Sequence, residues 1–262
     1  MRLPAFVVLS ALFLTGLPAA RGQDAMSGVD LNSPMMTTAE MSREDVVALL
    51  GGGAPVDLSG KRLSGIDLSG LDLSGANLRG AYLNTSNLSG ARLDNAVLDQ
   101  VWALKASFEG ASLKAASLVA AQMRGANFKG ADLSGARITA DLTNANFSAA
   151  RLNGANLSAD MKNQSMGLMR AVLRSARLEG ADFTGANLSR TVLEFAVLKE
   201  ANLQGANLYG AELGGANLTG ANLTGADLAL ADVTSAVLQK LKGRDKAVNF
   251  DKVRNLKRAF VD

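Results

Sequence analysis

The sequence predicts an all-β chain wound as a quadrilateral β-helix, a solenoid in place of a globular core. Three observations carry that expectation. Residues 56–238 repeat a five-residue phrase of small residue, polar residue, Leu or Phe, and two small or polar residues. Bulk is scarce, with nine Phe, two Tyr and one Trp against 27 Gly in 262 residues. A five-residue period also fits neither the strand period of two nor the helical 3.6. The Leu-type residue and the small residue two places before it must both face inward from a chain that turns every pentad. Four turns bring it back beneath itself, in coils of about twenty residues stacked roughly 4.8 Å apart, each packing only on its neighbours.

The elements follow in order. Residues 1–22 read as a secretory signal, with Arg2 before an apolar stretch at 5–17 and small residues near Ala20 and Gly22, which predicts export to the periplasm or the cell exterior. Residues 23–41 have no apolar period and are expected to form a flexible leader. Residues 42–53 are expected to be an N-terminal capping helix: Ser42 is the N-cap, Asp45 follows three residues on, Val46, Val47, Leu49 and Leu50 give an apolar face, and Gly51 to Gly53 stop it. The repeat domain occupies 54–238. Its centres run every five residues from Leu58 to Ile138, slip one residue early at Leu142, Phe147, Leu152 and Leu157, and return to phase at Leu168, which predicts a bulge near 158–167. Residues 239–262 carry eight basic and three acidic side chains, a net +5. Val253, Leu256 and Phe260 share one helical face, so 246–260 reads as a basic amphipathic helix that caps the coil, dimerises, or makes peripheral contact with an acidic membrane.

Runs such as Ala206-Asn207-Leu208, Ala216-Asn217-Leu218-Thr219-Gly220 and Ala221-Asn222-Leu223-Thr224-Gly225 resemble the pentapeptide-repeat family. The resemblance covers most of the chain and implies a right-handed winding, with Leu or Phe and the preceding Ala stacked inside.

The chain has no His and no Cys. That removes Ser-His-Asp and Cys-His nucleophiles, ordinary zinc sites, disulfides and lipid attachment through Cys. No cofactor or metal is expected. Asp57, Asp67, Asp72, Asp132, Asp182, Asp227 and Asp232 each precede a centre, where a side chain that bonds to local backbone suffices. The formal charge is +3. Without residues 1–22, which include Arg2 and Arg21, it becomes 25 basic against 24 acidic groups, a balance that implies neither a nucleic-acid partner nor an acidic DNA mimic.

Function is sought in the irregular outward positions. Residues twenty apart stack on one side, which collects Arg62, Tyr82, Trp102 and Gln122, with Asn84, Leu104, Lys105 and Arg124 just after the centres. An aromatic pair beside cations has the composition of a protein-recognition surface. The competing expectation is that Trp102 covers the thin core at Ala103. A second patch, Val172, Val192 and Phe195, is expected on another side. The leading reading is a non-enzymatic, exported scaffold that binds an unidentified protein partner. An alternative that the family resemblance offers is a DNA-mimicking inhibitor of the topoisomerase gyrase, from which the expected export and the weakly acidic repeat body depart. A weaker third reading is a polysaccharide-acting enzyme using Arg92, Asp94, Asp132 and Arg151, which share a side.

Overall fold

The computed structural model describes residues 28–52, 55–161 and 169–262. The signal segment, the first leader residues, Gly53 and the centre expected at Leu168 lie outside them.

Within a pentad the backbone points in, out, in: Ala76 and Leu78 are fully buried, and Asn77 between them is not. The chain then turns, the Ala81 N–H donating to the Leu78 carbonyl at 2.9 Å across Gly80, whose φ is 64°. A turn with positive φ at its third residue favours glycine, which explains the fifth letter of the repeat. Coils are joined by parallel bridges through the outward residue. The Leu58 N–H donates to the Asn77 carbonyl at 2.7 Å, and the Asn77 N–H to the Val56 carbonyl at 2.9 Å. Four ladders of such bridges form the four faces, starting at Asp57, Arg62, Asp67 and Asp72. Between them lies one continuous core of stacked Leu and Ala. On the third face Phe108, Phe128 and Phe147 stack with ring centroids 4.8 and 4.6 Å apart.

Each of the seven aspartates before a centre accepts the backbone N–H two residues on, from Ser59 to Asp57 at 3.0 Å through Thr234 to Asp232 at 3.0 Å. Several also accept the amide of the Asn one coil away, as Asp57 does from Asn77 at 3.0 Å. The serine hydroxyl and amide two residues on hold Asp57, Asp67 and Asp72 below the usual carboxylate range. For Asp132, burial pushes the carboxyl up, but Ser134 and the Arg151 guanidinium, 2.6 Å away, outweigh it and hold the group at about 2.

The irregularities concentrate at the corner between the first and second faces. Strand β1 (Ser117–Gln122) pairs with β2 (Arg137–Asp141) in register at Ser117, Leu118 and Val119, but Gln122 then meets Asp141, so the later strand is one residue shorter. One coil on, the ladder runs from Asn156 to Asn187 and from Asp141 to Val172, 31 residues apart instead of 20. Eleven more residues than a regular coil therefore intervene after Leu157, and the Asp160 N–H bonds to the Met169 carbonyl at 2.8 Å to bring the edges of that stretch together. Leu157 thereby loses the turn bond that other centres accept. Thr191, which stands where the repeat has Ala and is fully buried, donates its hydroxyl to the Leu157 carbonyl at 3.1 Å.

At the N-terminal end, α1 (Pro34–Thr37) and α2 (Arg43–Leu50) precede the first coil. In α2 the Ser42 hydroxyl accepts the Asp45 N–H and the Asp45 carboxylate accepts the Ser42 N–H, a reciprocal capping box. Val46 is buried in the core and Leu50 packs against it. Val47 and Leu49 are exposed, so the apolar face is narrower than the sequence suggests. The described part of the leader is not free chain. Met36 is buried, the Glu40 N–H donates to the Arg62 carbonyl at 2.8 Å, and Asn84 Nδ2 donates to the Met36 carbonyl at 3.0 Å.

The basic helix expected over 246–260 does not form. Three 3₁₀ turns, Arg244–Lys246, Phe250–Lys252 and Leu256–Arg258, take its place, and β4 (Phe260–Val261) pairs in parallel with β3 (Val237–Leu238). The segment is a further coil with six residues to a side. Lys242, Val248 and Arg254 extend three ladders as isolated bridges, and Phe260 meets Val237 on the remaining one. Leu241, Ala247, Val253 and Ala259 pack on the core at six-residue spacing. Gly243, Asn249 and Asn255 take the left-handed corners with φ of 64°, 54° and 62°. Val253 and Leu256 mimicked a helical face because spacings of three and six overlap; Phe260 is 60% exposed.

Two outcomes follow. A carboxyl whose pKa is depressed on folding contributes stability above its unfolded value, near 3.9, and that stability is lost as pH falls through the folded value. The melting temperature is therefore expected to fall from about pH 4 towards pH 2, and Asp132→Asn to flatten that acid limb while lowering the neutral-pH plateau. Equal acid limbs in thermal scans would contradict the assignment. Thr191→Val keeps shape but strands the Leu157 carbonyl, and should cost about 1–3 kcal/mol in urea unfolding, whereas Thr191→Ser should recover most of it.

Candidate interaction face

The second face is built from the ladder Arg62, Tyr82, Trp102, Gln122, Asp141, Val172, Val192, Glu212, Asp232 and Arg254. It brings together all seven residues singled out in the sequence: Arg62, Tyr82, Trp102 and Gln122 bridge in succession, and Leu104, Lys105 and Arg124 follow at the adjoining corner. Val172 and Val192 belong to this face too, and not to another side. The lost residue and the eleven gained add up to two pentads, so the five-residue phase is restored while the coil has shifted by half a turn.

The face has two unlike halves. At its N-terminal end Arg62 Nε bonds to the Glu40 carboxylate at 3.2 Å and Lys61 lies 3.8 Å from it. The Arg62 N–H and guanidinium draw the Glu40 carboxyl below its ordinary range. Tyr82 donates its hydroxyl to Met35 Sδ at 3.2 Å. Asn84, buried, spans Met36 and the Leu104 N–H, the latter at 2.9 Å. Residues 35–40 thus form a strap over Arg62, Tyr82 and Asn84, which the sequence did not disclose; the signal available was Met35 and Met36 in an otherwise polar segment.

Beyond the strap the half-buried Trp102, Leu104, Gln122 and Arg124 and the exposed Lys105 remain on the surface. Trp102 points outward and Ala103 inward, so the ring is on the wrong side of the backbone to fill the space at Ala103. Larger residues stand at the inward positions around it. Val101 replaces the usual Ala, Met123 occupies the centre of the next coil, and all three are fully buried. Lys105 holds a positive φ of 56°, and its stem lies near Gly125, where an added Cβ would stand 3.5 Å from Lys105 Cγ. Arg124 Nε bonds to Asp141 at 2.6 Å. The oxygen of the Gln122 amide is buried and meets no donor.

In the C-terminal half, Phe195 is 62% exposed with φ of 58°. A left-handed conformation costs a bulky residue on the order of 1 kcal/mol. Its ring lies over Gly215, where a Cβ would come within 2.6 Å of it, so only glycine fits below. A shallow groove of about 420 Å³ beside it is lined by Glu194, Glu212, Asp232 and Arg254. Here Glu194 pairs with Arg174 and Glu212 with Arg170 at 2.6 Å.

The carboxylates considered for acid-base work on the fourth face are engaged otherwise. Arg92, Ser112, Asp132 and Arg151 form consecutive bridges. Asp94 accepts the Ser112 hydroxyl and the Lys114 N–H. Asp132 is tied to Ser134 and Arg151. These contacts hold coils and corners together.

The sequence profile of the pentapeptide repeats matches eight copies over residues 57–100, 105–139, 140–159, 168–205 and 201–239. No curated protein matches the sequence. Among solved structures, full-length QnrB1, a plasmid-mediated fluoroquinolone resistance protein, is similar at 21% identity, with 75% of this chain and 91% of that chain covered and a TM-score of 0.44. HetL, involved in heterocyst differentiation regulation in the cyanobacterium Nostoc sp. strain PCC 7120, is similar at 27% identity over 84% and 95%, with a TM-score of 0.28. Rfr23 from the cyanobacterium Cyanothece 51142 is similar at 35% identity over 47% and 64%, with a TM-score of 0.20. The repeat matches span well over half of the sequence and the coils wind as a quadrilateral β-helix, the right-handed form of this family: the chain belongs to the pentapeptide-repeat family.

Proposed function

We propose that the chain is a non-enzymatic, exported scaffold that binds a protein partner through its second face, centred on Trp102. The observation that carries the reading is the outward Trp102 beside Lys105 and Arg124, on the opposite side of the backbone from the fully buried Ala103. A large aromatic flanked by long cations supplies contact area at low entropic cost. The ladder fixes the backbone below it, so little order is lost on binding. DNA mimicry would need a continuous acidic face, whereas this one mixes Arg62, Lys105, Arg124 and Arg254 with Asp141, Glu212 and Asp232. Export rests on the sequence pattern of residues 1–22.

The reading is tested by cross-linking and mass spectrometry on the chain recovered from a native cell envelope. The recovered chain should begin at Arg21 or Gln23, and one protein should be enriched repeatedly. Trp102→Ala combined with Lys105→Glu should weaken that capture at least about tenfold while the melting temperature holds. Retained capture by the double variant would refute the face, a melting temperature lowered as for a core residue would refute the surface role of Trp102, and an unprocessed N-terminus would refute export.

A further inference from the structure

We propose that the six-residue coil at 239–262 is a membrane-docking end plate, which sets the rod on a surface of anionic lipid headgroups. It concentrates a net +5 in 24 residues, whereas the remaining chain after residue 22 carries 17 basic and 21 acidic groups. Several of its cations have structural work: Lys242 pairs with Glu200, Arg254 donates to the Leu230 carbonyl, Lys252 bonds to Asn249, and the Arg244 guanidinium lies over the Phe250 ring. Lys240, Lys246, Lys257 and Arg258 make no side-chain ion pair or hydrogen bond among the described residues, and all four are exposed. The fold does not need their charge.

The apolar side of the coil is equally unspent. Leu241, Ala247, Phe250, Val253, Leu256 and Ala259 are only half-buried, and among the described residues nothing stacks on them from the far side. Phe260, Val248 and Val261 are 60%, 46% and 40% exposed. The coils between the first and this one bury their described inward residues, whereas Ile66 and Leu71 in the first coil are half-buried like these. An apolar floor rimmed by unpaired cations suits a surface that offers both apolar depth and negative charge.

Charge selects the occupant. A second copy of the coil would bring +5 against +5. An acidic protein groove would call for cations held in fixed geometry, whereas these four sit on long solvated stems, which suits the diffuse phosphate layer of a lipid surface. The 3₁₀ turns leave no continuous helix to lie in the interface, so contact is peripheral, with Phe260 and Val261 as the apolar tips.

The test uses the chain from Gln23, which keeps every contact named above and removes the apolar stretch at 5–17. Sedimentation with vesicles of equal parts phosphatidylglycerol and phosphatidylcholine should deplete it from solution. Vesicles of phosphatidylcholine alone should not, and salt should release it. Replacing Lys240, Lys246, Lys257 and Arg258 by Gln should lower partition at least about a hundredfold with unchanged thermal unfolding, and Phe260→Ala should lower it severalfold. No depletion by anionic vesicles at low salt, or equal depletion of the Gln variant, overturns the proposal. Retention on immobilised polyglutamate without vesicle binding reassigns the plate to an acidic protein and overturns it as well. None of these results bears on the Trp102 face.

Discussion

Everything in this chain depends on one hydrogen-bonding constraint: each coil satisfies its backbone only through the coils on either side. The centre N–H reaches the carbonyl nineteen residues on, and the outward N–H reaches back to the small residue of the coil before, as Leu58, Asn77 and Val56 show. No strand is long enough to be stable alone. The ladder therefore fixes which side chains point in, and the inward positions narrow to Leu, Phe and Ala because the space between facing ladders is constant. It also fixes which residues become neighbours, so a surface residue here is defined by its rung as much as by its chemistry.

Because neighbours are tied rung by rung, an irregularity in one coil has to be answered in the next. The extra residues after Leu157 leave a carbonyl without its turn partner, and Thr191, one coil later, supplies a hydroxyl where the repeat has Ala. Around the small centre at Ala103 stand Val101, where the repeat usually has Ala, and Met123 one coil on. Phe195 at a corner meets Gly215 beneath it. Such pairs are structural, and they separate compensation from true departures. Trp102 compensates for nothing inside, and the unpaired cations of the last coil compensate for no acid.

The fold was legible because inward positions tolerate so few residue types that a five-letter period survives in the raw sequence. The seven aspartates were also legible, since an Asx bond to the amide two residues on is local. What the sequence hid was non-local or ambiguous in period. A loss of one residue and a gain of eleven restore the pentad phase while turning the coil half-way round, so Val172 and Val192 were read onto the wrong face. The six-residue coil was read as a helix because Val253, Leu256 and Phe260 fit 3.6 as well as their true spacing; the correct signal was Gly243, Asn249 and Asn255, three residues that tolerate positive φ, six apart. The strap at 35–40 carries no period at all, and its place over Tyr82 is fixed by contacts that only the folded chain creates.

The strap and the end plate together bear on how a rod can present a face. Face width is set by the pentad, so under the proposed function a partner of the second face would meet a narrow track whose length alone can vary. Met35, Met36 and Glu40 shorten that track at the N-terminal end, where Arg62 and Tyr82 are already engaged with the chain's own residues. The track then opens at Trp102 and runs to the corner where the coil loses and gains residues. A stiff ladder cannot adapt its backbone to a partner, so adaptation falls to long side chains at corners, and Lys105 and Arg124 stand there beside the ring. Rigidity thus explains why the exposed irregular residues cluster where they do: in a coil whose backbone is committed to its neighbours, only the outward and corner side chains are left to carry recognition.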